Sequence, residues 1–456
     1  MRAWLLRADN WIDRHRPLVL LGTAILTVAV VALLDWVSGA QLFERFFYPQ
    51  ACAPSSKTPC DAIAWKDLFQ AAVLLLGLPA AFWLWHWRDR NVRYQIENAR
   101  KDINLKEFQE VQLRAAGALD EKLPEAAREQ LQIAALHQLR GFLRGDYGPD
   151  FRRPAFELLL AGHAGAIQRT GFWDKVEALL RQHDGKSVLA FDLDFAWQET
   201  SAMLTPVDQV RMAIISDEWR AIFHSGFPLR GRVFDGIQLA GRVFPAKLDL
   251  SGSSFRMANL DDVEAPEVFL AEVLLDGASL KRAKLLAANF SGASLAVTKF
   301  NGTKLDEAQI SALMLETEFS AASLRDADLA YNDMRRISFD GADLTDAYVS
   351  GSDLTEASFQ DATLDRTRLS KADLTSANLR NASLKDAYLR GARILGTNLV
   401  LSNLDGADLT DCCFDDETDV GPPRSFQLGG ETVTGQLDFL RSLGAFHVTE
   451  KNSLAD

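Results

Sequence analysis

The sequence predicts a multidomain membrane protein. Two N-terminal transmembrane helices lead into a helical middle region, then a long solenoid of short repeats, then a short C-terminal cap. Three observations carry this prediction. Residues 17–34 and 68–87 are long runs without a formal charge, apart from His86. Seven of the ten tryptophans fall in the first 87 residues. From Leu250 to Phe414 an apolar residue returns every fifth position, with one break in the frame.

Each run is about as long as a bilayer crossing requires. Trp36 and Trp65 stand at the loop-side ends, and Trp83, Trp85 and Trp87 crowd the far end of the second run, as interfacial belts do. Arg2, Arg7, Arg14 and Arg16 precede the first run and Arg88, Arg90 and Arg93 follow the second, whereas the loop holds only Arg45, Lys57 and Lys66. The positive-inside rule then sets a cytoplasmic leader at 1–16, spans at 17–36 and 67–87, and an external loop at 37–66. Both termini are expected in the cytoplasm, the chain being multi-pass in a bacterial inner membrane. A cleaved signal peptide ending near Val37–Gln41 is the alternative, although the leader and apolar core are longer than usual.

Cys52 and Cys60 bracket the external loop, where an oxidising setting permits a disulfide; two free thiols are the other option. Cys412 and Cys413 read as reduced packing residues. Residues 88–230 are rich in helix formers. Pro124 suits the first turn of a helix, and Ala127, Leu131, Ala134, Ala135 and Leu139 repeat with a helical period. Further helices are expected at 154–167, 172–184 and 206–223, stacked as hairpins. His137, His163, His183 and His224 are scattered singly, and no HExxH, CxxC, GxSxG or phosphate-loop pattern occurs. No catalytic, cofactor or metal residue is nominated.

Five residues suit neither a helix, where they turn about 140° past a full turn, nor a strand, where they alternate faces. The centres are nevertheless bulky at almost every step, Ala265 being the small exception. The set includes Phe290, Leu295, Phe300, Leu305, Leu344, Leu354, Phe359, Leu364, Leu374, Leu379, Leu384, Leu389, Leu399, Leu404 and Leu409. Two places earlier stands a small or β-branched residue, as at Ala278, Ala283, Thr298 and Thr303. The frame runs through Leu315, loses one residue and resumes at Phe319. The break predicts a local bulge or a recognition surface. Phe234, Leu239 and Phe244 are looser leading units.

This array closely resembles the pentapeptide-repeat family, whose unit is A(D/N)Lxx. The resemblance implies a right-handed quadrilateral parallel β-helix over 231–414, each pentad forming one side of a square coil. The centre and the small residue would both point inward. The helical segment and the tail 415–456, with a short helix at 434–446, would close its two ends.

Net charge is zero over residues 1–230 (27 basic, 27 acidic) and −13 over 231–456 (22 basic, 35 acidic). That argues against a basic nucleic-acid groove in the second half. The expectation is a membrane-anchored, non-enzymatic scaffold presenting a rigid acidic rod to a cytoplasmic protein of unknown identity, without cofactor, with room for homo-oligomers. A membrane effector in bacterial defence or stress signalling, and a DNA-mimic inhibitor of a topoisomerase, are the alternatives; some relatives in the family imitate DNA.

Overall fold

The computed structural model describes residues 65–118, 120–183, 188–421, 426–428, 431–433 and 438–448, with Gly22, Ile25 and Ala29. The chain divides into two compact units, 1–106 and 107–456. The first is described mainly through helix α1 (Trp65–Ala115), whose last turns belong to the second. The expected first span and most of the external loop, with Cys52 and Cys60, lie outside the described residues. Gly22, Ile25 and Ala29 are helical, and the backbone of 67–87 is helical throughout. Among the described residues no helix is long and apolar enough to cross a membrane.

The helical region of the second unit holds α2 (Glu125–Arg144), a 3₁₀ turn at Pro149–Phe151, α3 (Arg152–Arg169), α4 (Phe172–Gln182), α5 (Leu189–Met203), α6 (Pro206–Asp217) and α7 (Trp219–Phe223). Pro124 precedes α2, and Gly145 ends it in the left-handed region with its N–H turned back to Gly141 and Phe142. Thr205 and Asp208 form a reciprocal capping box on α6. Helices α2, α3 and α6 pack on one another, and α4 packs on α5, rather than forming a serial stack of hairpins. Helix α5 forms although "LAFDLDFAW" alternates as a strand would. The helix expected at 206–223 breaks at Glu218, which is buried under Arg140 and Arg144 at 2.5–3.0 Å. Against the cost of burial, those guanidiniums hold the Glu218 carboxyl below its usual range.

From Leu229 onward the chain winds into a parallel β-helix of 20-residue coils. Ser254 bridges to Leu274, Leu274 to Ser294, and so on around four sides. One pentad shows how the backbone is satisfied. Leu374 N–H donates to Arg393 O, Ser376 N–H to Leu395 O, Asn378 N–H to Ala357 O, and Ala377 N–H closes a turn onto Leu374 O. Four of the five amides are thus bonded by backbone, and only that of the residue after the centre is left over. At most corners the second residue after the centre has φ near +60°, as at Ser376, Asn381 and Asp386, while the residue before it does not; with the i→i+3 bond this makes a type II turn. Glycine fills some of these corners, but Val297, a β-branched residue, holds φ 58° at another.

The orphan amide explains the Asp/Asn preference of the repeat. In one solution the residue before the centre is Asp or Asn and takes that N–H two residues on: Thr345 to Asp343, Thr355 to Asp353, Thr375 to Asp373. In the other, the residue before the centre is Ser, and an Asp one coil earlier accepts both the Ser hydroxyl and the orphan N–H. Asp365 so receives Ser383 and Lys385, and Asp340 receives Ser358 and Gln360.

The frame break is corrected by one residue. Met314, not Leu315, points inward, so the residue is lost between Ile310 and Met314. Leu313, Met314 and Leu315 are all apolar, and the sequence could not choose among them. The shortened corner has no positive φ, and β1 (Ala293–Ser294) pairs there with β2 (Ala312–Leu313). Asn332 fills the gap from the next coil. Its side chain donates to Ile310 O at 2.7 Å and Leu329 O at 2.8 Å and accepts from Ala312 N–H at 3.0 Å.

Both ends of the core are covered. Phe223 of α7 stacks on Phe244 (centroids 4.5 Å) and tilts against Phe234 (5.2 Å). Leu229 is an inward unit that the sequence pattern did not include. At the far end β3 (Cys413–Phe414) pairs in parallel with β6 (Phe446–His447), and Leu440 is fully buried. A hairpin of β4 (Phe426–Leu428) and β5 (Glu431–Val433) precedes a tail helix, α8 (Asp438–Ser442), which ends at Ser442 and not at the expected 446. The sequence there switches to strand after Gly444, which holds φ 95°.

Candidate interaction surfaces of the array

The inward residues are consumed by packing. Phe290, Leu295, Phe300, Leu305, Leu344, Leu354, Phe359, Leu364, Leu374, Leu379, Leu384, Leu389, Leu399, Leu404 and Leu409 are all buried. Phe300, Phe319, Phe339 and Phe359 form a stacked ladder with centroids 5.0–5.1 Å apart and planes within 6°. Hydroxyls at the small inward position are satisfied by the coil before: Thr298 donates to Leu275 O, Thr367 to Leu344 O and Thr397 to Leu374 O, at 2.7–2.9 Å. The small centre Ala265 is offset by Val263 and Val268, leaving a void of only about 20 Å³. Nothing inside the array is free to do chemistry.

One side of the first coils is covered by the helical region. Ala166, Ile167, Phe172, Val176, Leu193 and Ala196 share a core with Ala296 and Val297, and Leu315, displaced outward by the frame break, packs against it. The strained corner at Val297 is therefore held from both sides. Gly236 has no Cβ because the Trp197 ring occupies that place. Several buried carboxylates at this junction are matched by donors. Asp235 is fully buried and accepts from Trp173 Nε1 (2.8 Å), Ser254 Oγ (2.5 Å) and Arg256 N–H (3.0 Å). Burial pushes its carboxyl up despite these donors. Arg256 Nε pairs with buried Asp276 at 2.9 Å. Glu316 accepts the first amides of α5, and its Oε1 lies 3.8 Å from His183 Nε2. His163 is buried beside Arg211, which pairs with Asp208 at 2.8 Å. His224 meets the Val243 carbonyl at 2.8 Å. Among the described residues no group of His, Cys, Asp and Glu could hold a metal ion. Cys412 is buried in a small-residue place, and burial pushes its thiol up, away from reactivity.

The remaining sides are exposed, and their charges alternate from coil to coil. Arg282 pairs with Asp262, Lys284 with Glu264, Arg336 with Glu356, and Arg366 with Asp346, each twenty residues apart. Such exposed pairs are worth little each, but they interrupt any continuous acidic stripe. One side differs. Asp328, Tyr348, Arg368, Tyr388 and Asp408 stand in successive coils of a single column. The Arg368 guanidinium lies 4.2 Å from the Tyr348 ring centre. Tyr348 and Tyr388 are nearly half exposed (43% and 47%), and Tyr331 is 84% exposed at the adjoining corner.

A family model described as pentapeptide repeats matches residues 270–311, 322–361, 352–391 and 382–416, in eight copies. The matched stretch is interrupted at 312–321, which contains the shortened corner. No curated protein matches the chain. Similar solved structures include HetL, a pentapeptide repeat protein involved in heterocyst differentiation regulation from the cyanobacterium Nostoc sp. strain PCC 7120. It is 24% identical, with 44% of this chain and 95% of that one covered and a TM-score of 0.18. QnrB1, a plasmid-mediated fluoroquinolone resistance protein, is 17% identical over 42% of this chain and 95% of its own, with a TM-score of 0.18. Rfr23, a pentapeptide repeat protein from the cyanobacterium Cyanothece 51142, is 21% identical over 32% of this chain and 88% of its own, with a TM-score of 0.13.

Proposed function

Because this chain carries pentapeptide repeats between residues 270 and 416, we propose that it is a protein-interaction module without enzymatic activity, held at a membrane by its N-terminal segment. One observation carries the reading. Inward positions are occupied throughout by core packing and both ends are covered, so recognition falls to the outward residues, which change from coil to coil. The tryptophan clusters and flanking arginines of residues 1–93 support a two-span anchor in a bacterial inner membrane, with both termini and the array in the cytoplasm. The coil-to-coil pairing of Arg282, Lys284, Arg336 and Arg366 with carboxylates argues against imitation of a nucleic-acid backbone, which needs unbroken negative charge.

The test is affinity capture with the full chain in detergent, from membranes of the source cells. The expected result is a soluble protein retained by the full chain and lost when outward residues of one side are replaced. Turnover of a small molecule by the purified chain, or capture that survives replacement on every exposed side, would end the reading.

A further inference from the structure

The column Asp328–Tyr348–Arg368–Tyr388–Asp408 is chemically self-complementary when one copy is turned end over end and displaced by one coil. We propose that a second copy of this chain docks on this side, antiparallel, about a two-fold axis passing between the Arg368 and Tyr388 coils. Such an axis brings Arg368 onto the Tyr388 ring of the second copy and Tyr348 onto its Asp408, and by symmetry the reverse. The guanidinium already lies over Tyr348 on one face, and its other face becomes available to an aromatic ring. The Tyr348 hydroxyl gains a carboxylate acceptor.

The adjoining corner is complementary under the same operation. Asp365 and Lys385 lie in adjacent coils, the Lys385 amide donating to the Asp365 carboxylate. The axis that matches Arg368 with Tyr388 also sets Asp365 opposite Lys385 of the second copy. Both copies carry the strand spacing of about 4.8 Å, so register is kept along the whole contact. The alternatives are poorer: an axis between the Tyr348 and Arg368 coils would match the column but set Lys385 opposite Arg325, and the rest are repulsive along the column itself. A parallel pair would set Arg368 against Arg368 and Asp408 against Asp408. An antiparallel pair centred on Arg368 would oppose Asp328 and Asp408 only to carboxylates. Tyrosine and arginine are also the residues that concentrate binding energy at interfaces.

The contact spans about four coils, or roughly 19 Å. A patch of that length confined to one side of the coil falls short of the roughly 800 Å² per partner of a stable complex. Pairing therefore depends on high local concentration, such as confinement of both copies to one surface. The proposal deepens the interaction-module reading by naming one partner. A chain that captures a foreign protein yet never pairs with itself would sink the pairing alone.

The experiment places p-benzoylphenylalanine at Tyr348 of the full chain and illuminates it in membranes and in detergent. The expected product is a dimer cross-linked into residues 404–411 of the other copy. Arg368→Glu should lower its yield about tenfold, the effect of losing a desolvated cation–π contact. Asp408→Lys should lower it similarly, and the same probe at Ser358, on another side, should give no dimer. Thermal melting should be unchanged, because these side chains face outward. No dimer, a cross-link back to residue 348 of the second copy, or a yield indifferent to Arg368→Glu would overturn the proposal.

Discussion

The carboxylate of Glu316 accepts the backbone N–H of Leu189 at 2.9 Å and that of Ala190 at 3.0 Å. A corner residue of the array thus caps helix α5 from 127 positions away in sequence. Helix α5 has no capping side chain of its own, and Val188 occupies the cap position.

Glu316→Ala should therefore loosen the helical flank. The loss expected is about 1–2 kcal/mol, that of an N-terminal cap with a favourable helix-dipole term. Hydrogen exchange at Leu189 and Ala190 should accelerate while the amides of coils beyond Phe339 stay protected. Equal acceleration throughout would show that the flank and array do not separate.

Asn332→Ala should be costly for so small a change. It leaves Ala312 N–H and Ile310 O without their partners at the shortened corner, at about 1–3 kcal/mol for a buried group left unmatched. Denaturant unfolding measures it. A near-neutral result would mean that the corner relaxes into a different register.

Asp276→Ala should be worse, by about 3–5 kcal/mol, since it strands buried Arg256 as an unpaired charge. The double change Arg256→Met with Asp276→Ala should recover much of that loss, and a double-mutant cycle reads the coupling.

Phe339→Ala opens the middle of the aromatic ladder and should cost about 3–5 kcal/mol. Phe339→Leu, the residue that most other pentads use, should cost a fraction of this. Urea midpoints of the two variants give the comparison.

Acid should weaken the junction through His163. Burial, aided by nearby Arg211, lowers its pKa from 6.5 to about 4. The folded chain thus keeps the ring neutral where the unfolded chain protonates it. The contribution is fully present above pH 6.5 and is lost as pH falls from there towards 4. His163→Leu should flatten that part of the stability profile. An unchanged slope would show that other groups control it.

The five-residue period exposed the solenoid because every inward place obeys one steric demand. Leu374, Leu379, Leu384 and Leu389 needed no tertiary information to be read as equivalent. The frame break could be placed only to within a residue, since Leu313, Met314 and Leu315 are equally apolar and the choice is made by Asn332 and by the helices that cover Leu315. Helix α5 was hidden for a related reason. Its stability comes from Glu316 and from packing on Val297, neither of which lies near it in sequence. The coupling of Asp340 with Ser358 and of Asp365 with Ser383 was visible in principle as an eighteen-residue offset, but it acquires meaning only once coils of twenty are known. The Tyr348–Arg368–Tyr388 column was likewise invisible until that period folded the chain.

The coil of twenty also sets the units in which such a chain can grow or shrink. Excising residues 345–364 would join equivalent corners, keep every remaining side chain on its own side, and merely shorten the rod by a single step. Excising any five would turn all that follows through a quarter revolution, so that a tyrosine formerly beside an arginine would look out in another direction. Lineages descended from this architecture should differ in length by whole revolutions wherever a lateral surface is in use, and by smaller increments only where none is.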